Sequence, residues 1–328
     1  MKLATGALVT ALLTACAFTA GCSPEERGTT TAQDSDLTAR EGYTAIDNPR
    51  GGVYVSATVA GGRVFVGDNR ATIDVFDLAT MSRSLTVEGR VPADSLSASG
   101  DLVAACGDRN DQPLGWEAVY GAADRHYVIT LLDARSGKRK FEIALGLQRY
   151  LESSSDGIID LPSMSCRLDA DAGTVSVSFS HPKLTDEIVT FPLPSEDARH
   201  DFREIPGAAR VAVGDGAARN TIKSFSSGPN GVTYAAGGYG LRRVAPPSSA
   251  PITLRDEGRE HMVGVDERGG RLFAADHGGA LLVLESDGAL VESVPVDDWV
   301  EGVALAPGYV VVVGRGGLLV TKDRWSSP

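Results

Sequence analysis

Cysteine is scarce: four in 328 residues, at positions 16, 22, 106 and 166. No two are adjacent and no Cys-x-x-Cys occurs, so a cysteine-built zinc site is excluded. The five histidines, at 126, 181, 200, 261 and 277, are never spaced as a helix-borne zinc pair. Gly-x-Ser-x-Gly and the phosphate-cradling Gly-x-x-x-x-Gly-Lys are both missing. Positive charge is short as well. Lys+Arg 31 against Asp+Glu 43 leaves −12, the wrong sign for nucleic-acid backbones or acidic lipid surfaces. Long helical periodicity is scarce. Glycine is plentiful: 38 Gly with 16 Pro, aperiodic, exclude a collagen-like chain and point to many turns. A hydrophobic content of 42% supplies a core and excludes wholesale disorder.

The apolar run at the start, Leu3 to Phe18, would make a helix of about 24 Å, short of the roughly 30 Å needed to cross a bilayer. With Lys2 before it and small residues after it, the run reads as an export signal. Its end, Thr19-Ala20-Gly21-Cys22, resembles the bacterial lipoprotein signal, with Thr19 where that family usually has Leu. The resemblance implies a signal over 1–21 and lipidation of Cys22. Leu13-Thr14-Ala15-Cys16 fits the consensus more closely but leaves a very short signal. Residues 22–41 carry no large apolar residue until Leu37 and read as a flexible tether. The expected address is the extracytoplasmic face of the cell membrane. There, Cys106 and Cys166 either form one disulfide or remain buried thiols.

From residue 42 to 328 one unit returns: a Gly turn, an apolar strand, a small or acidic break, a second strand. Gly61-Gly62-Arg63-Val64-Phe65-Val66-Gly67-Asp68 and Gly269-Gly270-Arg271-Leu272-Phe273-Ala274-Ala275-Asp276 are the clearest copies. Turns at Gly62, Gly100, Gly173, Gly231, Gly270 and Gly308 stand 38, 73, 58, 39 and 38 residues apart. About 40 residues is one four-stranded propeller blade. The expected fold is an all-β propeller of six four-stranded blades. Their spans would be Val53–Glu88, Ser95–Leu145, Ser163–Ile205, Ile222–Arg255, His261–Val296 and Trp299–Arg324. The last has three strands, and Tyr43-Thr44-Ala45-Ile46 would supply its fourth and close the ring. Seven blades, or a pair of β-sandwiches, remain the alternatives.

Leu131-Leu132-Asp133-Ala134-Arg135-Ser136-Gly137-Lys138-Arg139-Lys140-Phe141 resembles the quinoprotein and YVTN-type (WD40-like) repeats. Those read Leu-Asp-x-x-Thr-Gly-Lys-x-x-Trp, so Ser136 and Phe141 are replacements. Phe76-Asp77-Leu78-Ala79-Thr80 and Leu284-Glu285-Ser286-Asp287-Gly288 are weaker copies. The resemblance implies the fold. The adjacent cysteines of active quinoproteins are absent, so no cofactor is expected.

Second-to-third-strand connections and links between blades share one face of such a ring. Three long ones, Gly107–Arg125, Gly146–Pro162 and Gly207–Thr221, are therefore expected to cluster there. The first two supply the candidate ligand-binding residues Trp116, Glu117, Tyr120, Asp124, Tyr150, Glu152 and Asp156. Asp68, Asp108 and Asp276 recur after second strands, where local turn chemistry outweighs a ligand role. Asp108-Arg109-Asn110-Asp111 lacks the Gly and Glu of a calcium loop, so no dedicated metal site is expected. His277 is expected to serve a turn or structural hydrogen bond. The expected function is a non-catalytic binding or scaffold module, held to the membrane by lipid, for a protein or cell-envelope partner and not nucleic acid. The alternative is a lactonase- or hydrolase-type propeller with a divalent metal held by central carboxylates such as Asp68 and Asp276.

Overall fold

The computed structural model describes residues 43–87, 91–108, 126–146, 163–180, 187–213, 222–238, 240–245, 251–255, 262–296 and 299–325, all within the compact unit Arg40–Pro328. Strand β1 (Tyr43–Ile46) comes first. Blade one is β2 (Tyr54–Ala60), β3 (Arg63–Asp68), β4 (Ile73–Asp77) and β5 (Arg83–Thr86). Blade two is β6 (Ser95–Ser99), β7 (Leu102–Asp108), β8 (His126–Asp133) and β9 (Arg139–Gly146). β10 (Ser163–Asp169), β11 (Thr174–Ser180) and β12 (Glu187–Pro192) open blade three, followed by β13 (Ala198–Asp201) and β14 (Ala209–Ala212). Blade four is β15 (Ile222–Ser227), β16 (Thr233–Gly237), β17 (Gly240–Val244) and β18 (Ile252–Arg255). Blade five is β19 (Met262–Arg268), β20 (Arg271–Asp276), β21 (Ala280–Glu285) and β22 (Leu290–Pro295). Blade six has β23 (Val300–Ala306), β24 (Tyr309–Gly314) and β25 (Gly317–Lys322).

Each blade is an antiparallel meander, and the inner strands β2, β6, β10, β15, β19 and β23 touch in that order, with β23 returning to β2. The ring has six blades. β1 pairs antiparallel with β25, from Tyr43 opposite Thr321 to Ile46 opposite Leu318, and completes blade six as the sequence implied. Second strands are buried on both sides by neighbouring blades. Hence Arg63-Val64-Phe65-Val66 and Tyr309-Val310-Val311-Val312-Val313 run apolar without alternation.

Inner strands of adjacent blades do not pair as a sheet, so their backbone edges need other partners. On β6 the alternate residues Ser95, Ser97 and Ser99 meet this need. Their hydroxyl oxygens accept from the backbone N–H of Cys166, Leu168 and Ala170 at 3.2, 2.9 and 2.9 Å. The repeat motif has an equally local meaning. The Asp133 carboxylate accepts from the N–H of Arg135 and Ser136 and from the Ser136 hydroxyl. Asp77 does the same with Ala79 and Thr80. These bonds hold both carboxyls below their ordinary range. The Leu-Asp-x-x-Ser/Thr signature is a turn cap between third and fourth strands.

Blade three departs from the expected span. Its fourth strand is β14, paired with β12, so the blade runs to Ala212 instead of Ile205 and the following link is shorter than Gly207–Thr221. β13 instead joins blade two, lying parallel to β9 as a fifth strand. The cause is apolar. Phe202, just after β13, buries its ring edge-on against Phe179 at 4.8 Å and so stitches blade three to blade two.

Candidate functional site

Strand direction divides the ring into two faces. β1 begins on one of them, with the turns joining first to second and third to fourth strands; this is the entry face. The opposite, insert face carries the inter-blade links and the second-to-third connections. The ends of the first two predicted insertions lie there, Asp108 with His126 and Gly146 with Ser163, as do Ala212 and Ile222, which bound the shortened third link. Gly207, where the third was expected to begin, precedes β14 on the entry side. The β13 excursion leaves from the entry face. Trp116, Glu117, Tyr120, Asp124, Tyr150, Glu152, Asp156 and the lipidation residue Cys22 lie outside the described residues. A disulfide joins Cys106 on β7 to Cys166 on β10, with α-carbons 6.2 Å apart. Cys106 stands two residues before Asp108, where β7 ends at the first insertion, and Cys166 three residues after Ser163, where the chain returns from the second, so the bond ties the two roots together.

The described part of the insert face carries an aromatic platform between blades five and six. Trp299 sits in the link entering β23 and is 41% exposed. Its indole Nε1–H donates to Glu301 Oε1, and the His277 ring leans edge-on against it at 3.8 Å between centroids. His277 Nε2 stands 3.8 Å from the same Glu301 oxygen, and the Arg315 guanidinium lies 5.9 Å from the indole centroid. The backbone explains the placement. The Trp299 carbonyl passes so close to Gly314 that a β-carbon there would collide with it, and it accepts from Arg315 N–H at 3.0 Å. Glycine at 314 therefore lets the link cross, and the next side chain stacks on what has crossed.

The second-strand aspartates are turn caps. Asp68 Oδ1 accepts from the N–H of Arg70 and Thr72 at 3.0 and 2.9 Å, and Asp276 Oδ1 from Gly278 N–H at 2.9 Å. Neither lines the central channel. The alternative placed both at the channel; they stand instead at the ends of second strands, and Asp68 turns its other oxygen, Oδ2, toward Asn48 and Arg50. The channel, about 240 Å³, is lined by Ser97, Ser165, Arg167, Asp266, Glu267 and Arg268 among others. Asp266 accepts from Ser226, Leu305 N–H and Arg167, so it ties blades three, four and six to blade five. Among the described residues no three His, Cys, Asp or Glu side chains converge in metal-binding geometry.

Asp94, in the link entering β6, has a carboxylate lying against Gly107. Loss of surrounding water, then repulsion from Asp108, push it up to about 6, against a backbone bond from Asp108 and attraction to Lys223. The folded state therefore keeps this proton where the unfolded chain, near 3.8, has released it, so stability falls as pH rises between those values. An open edge to solvent argues for a modest size. Asp94→Asn should remove this component. Urea midpoints at about pH 4.5 and about pH 7 should diverge less in the variant than in the wild type, and equal slopes would refute the assignment.

No protein-family model matches the chain, and no curated protein matches it in sequence. Solved structures do: 1388 chains match in fold, a breadth that by itself selects no function. The crystal structure of RRP9 WD40 repeats superposes with a TM-score of 0.58 at 10% identity, covering 86% of this chain and 98% of that one. The structure of U3-55K gives 0.57 at 9%, with the same coverages. The fold is a β-propeller, similar to those of these WD40-repeat structures. At these identities the likeness carries architecture alone.

Of the platform on this ring, the sequence pointed to His277 as a structural partner and missed Trp299, Glu301 and Arg315. A signal existed. Gly67, Gly107 and Gly314 occupy one position at the end of successive second strands, and inter-blade links pack against all three. Aligning the repeats on that glycine places Arg315 in phase with Asp68 and Asp108, and Trp299 in phase with the links that cover them.

Proposed function

We propose that this chain is an exported, lipid-anchored propeller that binds a protein or cell-envelope ligand on its insert face, without catalysis. One observation carries the reading. The ends of two insertions, the shortened third link and a preorganised exposed tryptophan share a face, while β1 begins on the other. Long connections on a rigid ring are where binding residues concentrate. The Cys106–Cys166 bond supports export, because disulfides persist in oxidising compartments. The net charge of −12 disfavours nucleic acid as the ligand.

Two measurements test the two halves. Metabolic labelling with a fatty acid should mark the wild type and not Cys22→Ala; labelling that survives this change and is lost in Cys16→Ala moves the anchor. Deleting Trp116 to Asp124 should reduce recovery of whatever envelope component the wild type retains. Unchanged recovery removes the insertion from the binding face.

A further inference from the structure

Among the described residues, the platform between blades five and six presents two unmet chemical demands side by side. Trp299 has its only polar group satisfied by Glu301, so what it offers is apolar ring surface at 41% exposure. Arg315 is exposed, and among the described residues no carboxylate pairs with its guanidinium. An arginine fork stacked near an indole has lost part of its freedom already, so capturing a planar anion costs it little further entropy. Ile252, Leu290 and Val291, the other large exposed apolar side chains among the described residues, stand on the outer strands β18 and β22 without such support.

The supports are rigid. Trp299 is braced by His277 and Glu301, and Arg315 heads a two-residue hairpin closed by pairing of Gly314 with Gly317. Tryptophan and arginine are the residues that most often dominate binding energy when held in place. A guanidinium takes a carboxylate with two parallel hydrogen bonds. A chain of net charge −12 repels an anion in proportion to its charge, so a single carboxylate beside an apolar group is opposed far less than a polyanion.

We infer that Trp299 and Arg315 form a docking platform for a peptide segment of a protein partner, one that places an Asp or Glu next to a large apolar side chain. The inference rests on the binding-module reading and names the chemistry of its ligand. The test is selection from a random peptide display library on the full chain, in parallel on Trp299→Ala and Arg315→Glu. Both residues are exposed, so matching thermal melts are expected and confirm intact folds. The wild type should enrich peptides with an acidic residue within two positions of Trp, Tyr, Phe or Leu. Trp299→Ala should lose them, and Arg315→Glu should exchange acidic for basic residues. A synthetic peptide from the wild-type set should bind Arg315→Ala at least about tenfold more weakly. Identical sets from wild type and Trp299→Ala would overturn the platform while leaving a binding module with its site elsewhere. No enrichment by the wild type would overturn both, and a basic set would overturn the ligand chemistry.

Discussion

Replacing Cys106 and Cys166 together by alanine is expected to lower the unfolding free energy by about 4 kcal/mol. The two residues are 60 apart in sequence, and cross-linking them removes the closure entropy of that loop from the unfolded chain. The bond lies in the apolar cluster between blades two and three, among Tyr127, Met164, Phe179 and Phe202. It joins a second strand of one blade to the inner strand of the next. The serine ladder on β6 and the Phe202 stitch hold the same seam, so the ring should survive the loss, weakened there first. Urea unfolding should show the drop in the alanine variant. Dithiothreitol should impose a similar drop on the wild type and none on the variant. Equal midpoints for oxidised wild type and variant would mean that the unfolded loop is already constrained.

Most of the ring was legible because one physical requirement repeats. A strand buried between two blades must be apolar on both faces and must turn sharply at each end, so glycines bracket short apolar runs at nearly constant spacing. Blade three was misread where that requirement says nothing. Ala198-Arg199-His200-Asp201 and Ala209-Arg210-Val211-Ala212 are equally plain as outer strands. What sends the first to β9 is the burial of Phe202 beside Phe179, with Arg210 stacked over it at 5.1 Å. That is a tertiary choice invisible to periodicity. The platform was hidden for a related reason. Trp299, Glu301 and His277 belong to different strands and links, and none has a spacing that marks chemistry. Only the phase of Gly314 connects them.

Arg50→Met is expected to cost about 3 kcal/mol, far more than loss of an exposed pair such as Arg324–Glu292, worth under about 1. Arg50 stands in the turn that carries the chain from β1, the ring-closing strand, into β2. The turn is shaped by Asn48, whose side-chain oxygen accepts from Arg50 N–H at 3.0 Å and whose carbonyl accepts from Gly51 N–H at 2.9 Å. From there the guanidinium reaches Asp74 on β4 with two bonds, at 2.5 and 3.2 Å. The Asp74 side chain is 0% exposed. Thr86 donates to it at 2.7 Å and Tyr54 at 3.4 Å. Burial, then the Asp74 charge, raises the Tyr54 phenol above its ordinary range and keeps it a donor. Removing Arg50 strands this carboxylate with neutral donors and one distant cation, Arg83 at 3.8 Å. Those partners set the cost toward the lower end for a broken buried pair. Arg50→Met with Asp74→Leu removes the Asp74 share of the need for compensation and should recover much of the loss. It leaves the buried Asp68, which stands 3.5 Å from the same guanidinium in the wild type, on its turn N–H donors and Asn48. Asp74→Leu alone leaves Arg50 paired with Asp68 and should cost less than Arg50→Met. A double-mutant cycle from urea unfolding measures the coupling directly. Additive effects would show that the Arg50–Asp74 pair contributes no coupling of its own beside the β1–β25 pairing.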